Sequence, residues 1–231
     1  MPAQLILLYK IVSLGLAYPE GKNWLLIDDL LAAVAPFDGG TGEQIRSFRA
    51  FFAQNKHRLN EMESEYLRIF DIGGIISPYE TEYLREKLSR KPFELADISG
   101  FYNAFGFDLS DDGSSREPAD HIAVELEFMA IMELKEVYAM KTRREENRMI
   151  VRDARVDFLR AHLARWGFYY CRQIRELECD EFYKRLGGLL EAVLQLECDR
   201  YGLDAEFFKT AAGRRPPGGA GDDGFVCGPM L

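Results

Sequence analysis

The sequence predicts an all-α fold, a single helical-bundle domain of about eight to ten helices. Apolar residues recur at helical spacing along most of the 231 residues, and no segment alternates polar and apolar residues as a strand does. Clusters of glycine and proline separate the helical segments. Residues 117–140 are apolar around most of their circumference, which is typical of a central helix covered by others.

Four helices are predicted before residue 71. Their ends are placed where proline or glycine interrupts the apolar spacing, as at Pro19 and Pro36. Thr41 is a suitable N-cap for the third helix, after the pair Gly39-Gly40. The predicted spans are residues 4–17, residues 23–34, a helix opening at residue 41, and residues 59–70.

An irregular connection follows over residues 71–80. It is apolar for a loop, so we expect it to be held against another element and to line a groove. Thr81 opens a further helix start, and a short helix is predicted over residues 93–105. The polar loop 108–116 then leads to the central helix.

The central helix is predicted to open with Pro118 in its first turn, where the missing N–H leaves no donor unsatisfied. Glu117 and Asp120 then place negative charge at the positive end of the helix dipole. An amphipathic pattern predicts a long helix over residues 147–177, and a last helix is predicted over residues 181–201.

The domain is expected to span residues 1–205, with lobes 1–107 and 117–205 joined by the loop 108–116. Exchange of helices through that loop would give a domain-swapped homodimer as an alternative to a monomer. Residues 206–231 form a Gly/Pro-rich tail. We expect three apolar residues near its end to dock into a groove of this molecule or of a neighbour; they are Phe225, Met230 and Leu231.

Composition narrows the class of partner. The formal net charge of −9 and the pI near 5.0 argue against a nucleic-acid partner. No segment reaches the length of a membrane span, and Lys10 interrupts the apolar run near the N-terminus. The four cysteines show no C-x-x-C pair and no zinc-ligand spacing. These features predict a reduced, soluble, cytoplasmic protein.

Two chemical interpretations of the central helix remain open from the residues alone. Glu117, His121 and Glu125 stand four residues apart and would surround a metal ion in a metal-dependent enzyme, although the Glu-x-x-His motif of di-iron bundles is absent. In the other interpretation, Glu117 and Asp120 stabilise the helix start while His121 hydrogen-bonds a loop. An acid–base pair of Asp120 and His121 is disfavoured because adjacent helical residues point about 100° apart.

The run Pro-Ala-Asp-His-Ile-Ala-Val-Glu-Leu-Glu-Phe-Met at residues 118–129 closely resembles the signature of the TorD/DmsD/NarJ family, cytoplasmic chaperones for redox enzymes, mostly of the molybdopterin type. Three further stretches agree with that family, and the likeness covers roughly residues 4–200. The stretches are residues 8–13 with Tyr18-Pro19, residues 66–70 followed by 77–81, and residues 158–170 around Trp166.

The resemblance implies a TorD-like helical chaperone with neither catalytic activity nor a cofactor. Its partner would be the apo form of a molybdopterin oxidoreductase catalytic subunit. The chaperone would hold that subunit's N-terminal signal peptide, often a twin-arginine signal, until the cofactor is inserted. Guanine-nucleotide binding has been associated with parts of the family, but no phosphate loop supports it here.

The same resemblance implies a role in signal-peptide recognition for Asp120 and His121, flanked by Glu117 and Pro118. Carboxylates suit bidentate pairing with arginine, and Glu80 would add a third to those of Asp120 and Glu117. The apolar part of the peptide would contact Tyr79 and its neighbours Ile75, Ile76 and Tyr83. The variants Asp120→Ala and His121→Ala are expected to fold normally and to lose peptide affinity.

Overall fold

A computed structural model of the chain describes residues 2–71, 74–83, 87–108 and 117–210. Every regular element within these ranges is helical, which confirms the all-α prediction. The elements are α1 (Pro2–Leu16), α2 (Gly21–Ala33), α3 (Gly39–Asn55), α4 (Leu59–Phe70), a 3-10 turn (Glu80–Tyr83), α5 (Lys87–Ala104), α6 (Ile122–Lys141), α7 (Glu145–Phe158), a π-helical turn (Leu159–Leu163), α8 (Ala164–Glu176), α9 (Glu181–Tyr201) and α10 (Ala205–Thr210).

Helix α6 is the centre of the bundle. Most of its side chains are buried, in agreement with an apolar pattern that extends around the helix. It packs most extensively against α1 and then against α7, while α9 packs against α3 and α8. In the part of the chain that the structure describes, no helix combines the length and apolar character needed to cross a membrane.

Aromatic side chains join the two predicted lobes into one core. Tyr102 and Phe107 contact Phe128 of α6, with ring centroids 4.8 and 5.7 Å apart. Phe128 in turn packs 4.7 Å from Phe158 of α7. Buried hydrophobic residues of both lobes therefore belong to one cluster. Residues 109–116, which make up most of the predicted joining loop, lie outside the described residues.

Several predicted boundaries need correction. Helices α4 and α9 coincide with the predicted spans, but α3 begins at Gly39 rather than at Thr41. Helix α5 begins at Lys87, six residues earlier than predicted, and contains Pro92. The predicted 147–177 helix consists of α7 and α8, joined continuously through the π-helical turn.

Helix α10 differs from the prediction, in which residues from 206 onward belong to the tail. It forms because Phe208 is buried against the bundle and the Asp204 side chain accepts a hydrogen bond from the Phe207 N–H at 3.1 Å. The remainder of the tail, with its predicted docking residues near the end, lies outside the described residues.

Candidate functional site

The site is built where the connection after α4 meets the start of α6. The Ile122 N–H donates to the Pro78 carbonyl at 2.8 Å, and the Glu80 N–H donates to the Asp120 carbonyl at 2.9 Å. These two bonds form an isolated antiparallel bridge between Tyr79 and His121. The expectation that this apolar connection is held against another element agrees with the geometry.

The bridge also corrects the predicted start of the central helix. His121 has extended backbone angles, with φ −75° and ψ 135°, so α6 begins only at Ile122. The preceding residues form a turn, in which the His121 N–H bonds to the Pro118 carbonyl at 3.0 Å. Pro118, Glu117 and Asp120 therefore lie before the helix and not in its first turn.

Asp120 is a buried carboxylate that receives two hydrogen bonds on one oxygen. Its Oδ2 accepts a hydrogen bond from the Thr81 hydroxyl at 2.6 Å and another from the Thr81 N–H at 3.3 Å. Only 2% of the residue is exposed. A buried carboxylate with two donors is well satisfied, so Asp120 fixes the 3-10 turn against the start of α6.

His121 is completely buried and caps α6. Its Nδ1 accepts a hydrogen bond from the Ala123 N–H at 3.1 Å, and burial lowers its pKa to about 3. The ring is therefore neutral and carries its proton on Nε2. That nitrogen lies 3.4 Å from the Tyr66 hydroxyl and 3.8 Å from a Glu117 carboxylate oxygen. His121 therefore connects the helix start to residues nearer the surface.

Glu117, beside His121, and Asp71 make up an acidic pair, in which the charge of Asp71 acts on Glu117. Glu117 is half-buried and Asp71 is exposed. Burial and then the Asp71 charge raise the pKa of Glu117, which places the two carboxylates within each other's field. Burial, followed by the charge of Glu117, also raises the pKa of both Tyr66 and Tyr79. The two carboxylates and two phenol rings thus share one small region.

Tyrosine rings border this acidic pair. The half-buried Tyr79 ring meets the His121 ring edge-on, with centroids 5.4 Å apart. The Tyr66 ring contacts Tyr18 in the same manner at 5.5 Å. Since 37% of Tyr18 is exposed, aromatic surface continues outward from the acidic pair. We call Tyr18, Asp71, Tyr79 and Glu117 the acidic–aromatic surface; the buried Tyr66 ring lies beneath it.

Glu80 does not belong to that surface, which corrects its predicted role as a peptide-binding carboxylate. It is 1% exposed, and its carboxylate lies 3.1 Å from Nδ1 of His162 in the π-helical turn. His162 Nε2 lies 3.4 Å from an Asp97 oxygen. Burial opposes the charged imidazole, but Glu80 and Asp97 raise the pKa of His162 to about 9. Glu80 and His162 therefore form a buried ion pair at neutral pH.

Oxygen and nitrogen atoms of Glu80, Glu94 and His162 lie within 4.8 Å of one another, a spacing that suits a metal ion. The guanidinium of Arg165, however, lies 3.2 Å from Glu94 and 3.9 Å from Glu80. Arg165 and protonated His162 supply the positive charge that these carboxylates need. We therefore interpret this buried ion cluster as a structural support beneath the site.

The alternative metal centre of Glu117, His121 and Glu125 does not converge. Glu117 faces His121, but the buried Glu125 carboxylate accepts a hydrogen bond from the Trp166 indole at 3.3 Å. Burial and the neighbouring Glu80 charge raise the pKa of Glu125 well above its ordinary value. Metal binding requires the deprotonated carboxylate, so a raised pKa makes Glu125 a weaker metal ligand. Glu117, His121 and Glu125 therefore have different partners and do not surround a common metal position.

Sequence reasoning missed three contributors to the site. The sequence predicts Thr81 only as a helix start and Asp71 only as part of the connection 71–80, and nothing in the local sequence singles out His162. Their partners come from other elements, so no local spacing indicates the contacts. For Asp71, the only sequence feature that could have indicated a role in the site is its position as the first, charged residue of the apolar connection after α4.

Comparisons with known proteins agree with this description. A family model described as the nitrate reductase delta subunit matches residues 35–172. The chain is 34% identical over 147 residues to the selenate reductase assembly chaperone protein of Thauera selenatis, covering 62% of this chain and 72% of that protein. It is 33% identical over 135 residues to the chlorate reductase assembly chaperone protein of Ideonella dechloratans, covering 56% and 67%.

The matched span includes the connection after α4, the start of α6 and most of α8. The chain therefore belongs to the nitrate reductase delta subunit family, the NarJ/TorD-type chaperones. This confirms the family inferred from the Asp-His run.

Proposed function

We propose that this chain is a non-catalytic assembly chaperone for a reductase. It acts in the cytoplasm, where it binds the N-terminal signal peptide of a molybdopterin-type oxidoreductase subunit, a twin-arginine signal in this proposal. It holds that peptide until cofactor insertion and assembly are complete. The names of the two relatives support the assembly role, since each is an assembly chaperone of a reductase.

The acidic–aromatic surface is the observation that supports signal-peptide binding in the proposed function. The carboxylates of Glu117 and Asp71 lie in each other's field beside the half-buried Tyr79 ring, and the Tyr18 ring, 37% exposed, packs on the buried Tyr66 ring. A guanidinium group pairs with carboxylates through paired N–H donors and also stacks on aromatic rings. Two arginines in succession match a site with two carboxylates and adjoining rings.

Exposed apolar residues next to this surface suit the apolar part of a signal peptide. Ile75 is 57% exposed and Leu67 is 45% exposed, and both belong to the region of α4 and its connection. The Ile76 N–H bonds to the Ile69 carbonyl at 3.0 Å, which holds the connection along the end of α4. An extended peptide crossing the acidic pair would continue over these side chains.

Asp120 and His121 act as positioning residues in this proposal. Both are buried, so their contribution is to fix the Tyr79 backbone and the Glu117 carboxylate at the surface. Glu117, Pro118 and Tyr79 retain exposed area and make the peptide contacts. Glu80 supports the site from below through its ion pair with His162.

Calorimetric titration of the purified chain with a twin-arginine signal peptide tests the proposal. We expect saturable binding that weakens at high salt, because opposite charges are screened. Glu117→Gln should reduce the affinity roughly tenfold, since it removes a charge-assisted hydrogen-bond acceptor. The matched control Glu43→Gln changes an exposed glutamate of α3 and should leave affinity unchanged. Equal affinity in all three proteins would exclude the acidic–aromatic surface as the binding site.

A further inference from the structure

Helices α5, α6 and α7 line a solvent-open groove of about 530 Å³. Its lining includes Leu134 and Tyr138 of α6, which are 53% and 60% exposed although most of that helix is buried. Phe105, directly after α5, and Val151 of α7 add apolar surface. Leu134 lies about 20 Å along α6 from His121, so this groove is separate from the acidic–aromatic surface.

The groove carries positive charge at its rim. Lys135 and Arg144 contribute to its lining. Neither side chain forms an ion pair with any residue in the described ranges. In a chain of net charge −9, such a pair of uncompensated cations beside apolar surface favours an acidic, apolar segment. The groove therefore favours a negatively charged ligand, whereas the acidic–aromatic surface favours a positively charged one.

We propose that residues 222–231 of this same chain occupy the groove. Two acidic residues, Asp222 and Asp223, come directly before the apolar pair Phe225-Val226. That order places negative charge for the rim beside apolar side chains for the space over Leu134 and Tyr138. The segment is thus complementary to the groove in both charge and hydrophobicity.

The chain is long enough for this contact to form within one molecule. Helix α10 ends at Thr210, and the Lys209 ammonium lies 5.7 Å from the Phe168 ring centroid on α8. Phe168 stands about 26 Å along the continuous α7–α8 helix from Val151, at ~1.5 Å per residue. From Thr210 to Asp222 the extended chain spans at most about 40 Å. The aspartates can therefore reach the groove rim without unfolding α10.

Cys227 provides a native reporter for the test, because it follows Phe225-Val226 directly. A second thiol is introduced in the full-length chain by Asn147→Cys, at an exposed position of the groove lining. The matched control is Asn60→Cys, the same substitution at an exposed position of α4. Disulfide formation with Cys227 in a glutathione buffer then measures the effective concentration of the tail at each position.

We expect the effective concentration to be at least about tenfold higher for Asn147→Cys than for Asn60→Cys. Adding Asp222→Lys and Asp223→Lys to the Asn147→Cys chain should remove that difference, because the charges would then repel the rim. Equal effective concentrations at the two positions would overturn the proposal. Disulfides found only between two copies of the chain would also overturn it and would assign the groove to a second molecule.

Discussion

The Asp120 carboxylate and Thr81 are joined by two hydrogen bonds, one from the hydroxyl at 2.6 Å and one from the backbone N–H at 3.3 Å. These bonds fix a 3-10 turn against the start of α6. As a result Tyr79, on one side of the turn, keeps part of its surface exposed, whereas Glu80 points into the buried ion cluster.

Loss of the Thr81 hydroxyl should destabilise the protein. Thr81→Val keeps the shape but leaves the buried carboxylate with a single donor, at an expected cost of about 1–3 kcal/mol in the free energy of unfolding. Asp120→Ala should also lower stability, contrary to the expectation that it folds normally. Urea denaturation measures both, with the exposed Thr210→Val as control. Unchanged midpoints for Thr81→Val and Asp120→Ala would refute a structural role for this pair.

Stability should fall at alkaline pH because of His162. Its pKa is about 9 in the folded protein and near 6.5 in an unfolded chain, so the folded state holds an extra proton between those values. The stabilisation is present below pH 6.5 and disappears as pH rises through 9, with a total of roughly 3 kcal/mol.

Denaturation curves at pH 6.5 and pH 9.5 measure this effect. His162→Gln should show a smaller loss of stability between the two pH values than the native chain. His57→Gln, which changes an exposed histidine, should retain the native difference. The assignment of the alkaline loss to His162 fails if both variants behave alike.

Asp71 should contribute to peptide affinity although it lies outside the Asp-His run. Asp71→Asn removes one of the two carboxylates that we propose to contact the signal peptide, and an exposed charge of this kind changes affinity about two- to fivefold. Titration with the twin-arginine peptide measures the change, and Asp153→Asn on the exposed side of α7 is the matched control. An identical effect of both substitutions would point to overall charge rather than to a site.

Acidification should weaken peptide binding earlier than for an ordinary glutamate. Burial and Asp71 raise the pKa of Glu117, so this carboxylate gains a proton at a higher pH and then loses its attraction for arginine. Titrations at descending pH test this, and Glu117→Gln should flatten the profile. A native profile that matches the Glu117→Gln profile would assign the pH dependence to other groups.

The Tyr79 ring should contribute through its face and not through its hydroxyl. Tyr79→Phe keeps the aromatic surface beside His121, whereas Tyr79→Ala removes it. A contact between an arginine and an aromatic ring at an exposed site contributes about 0.5–1 kcal/mol, or roughly two- to fivefold in affinity. Peptide titration should therefore place Tyr79→Phe near the native value and Tyr79→Ala below it, and similar losses in both would indicate a role for the hydroxyl.

The sequence predicts features that depend on neighbouring residues, but not contacts between residues that are far apart in the chain. Helices α4 and α9 were predicted correctly because local apolar spacing and their flanking residues determine them. The start of α6 was misplaced because His121 is held extended by pairing with Tyr79, far away in sequence. The Glu80–His162 ion pair was missed for the same reason, since its members come from separate elements.

The bridge between Tyr79 and His121 also bears on how the protein folds. Its two backbone hydrogen bonds close a loop of roughly forty residues, and such non-local closure costs chain entropy and slows folding. The helices can form before it, but the acidic–aromatic surface is complete only after closure. A bound signal peptide that contacts both segments should therefore slow hydrogen exchange at the Glu80 and Ile122 amides. If the proposed function holds, recognition of a client would in this way be restricted to chaperone molecules that have themselves finished folding.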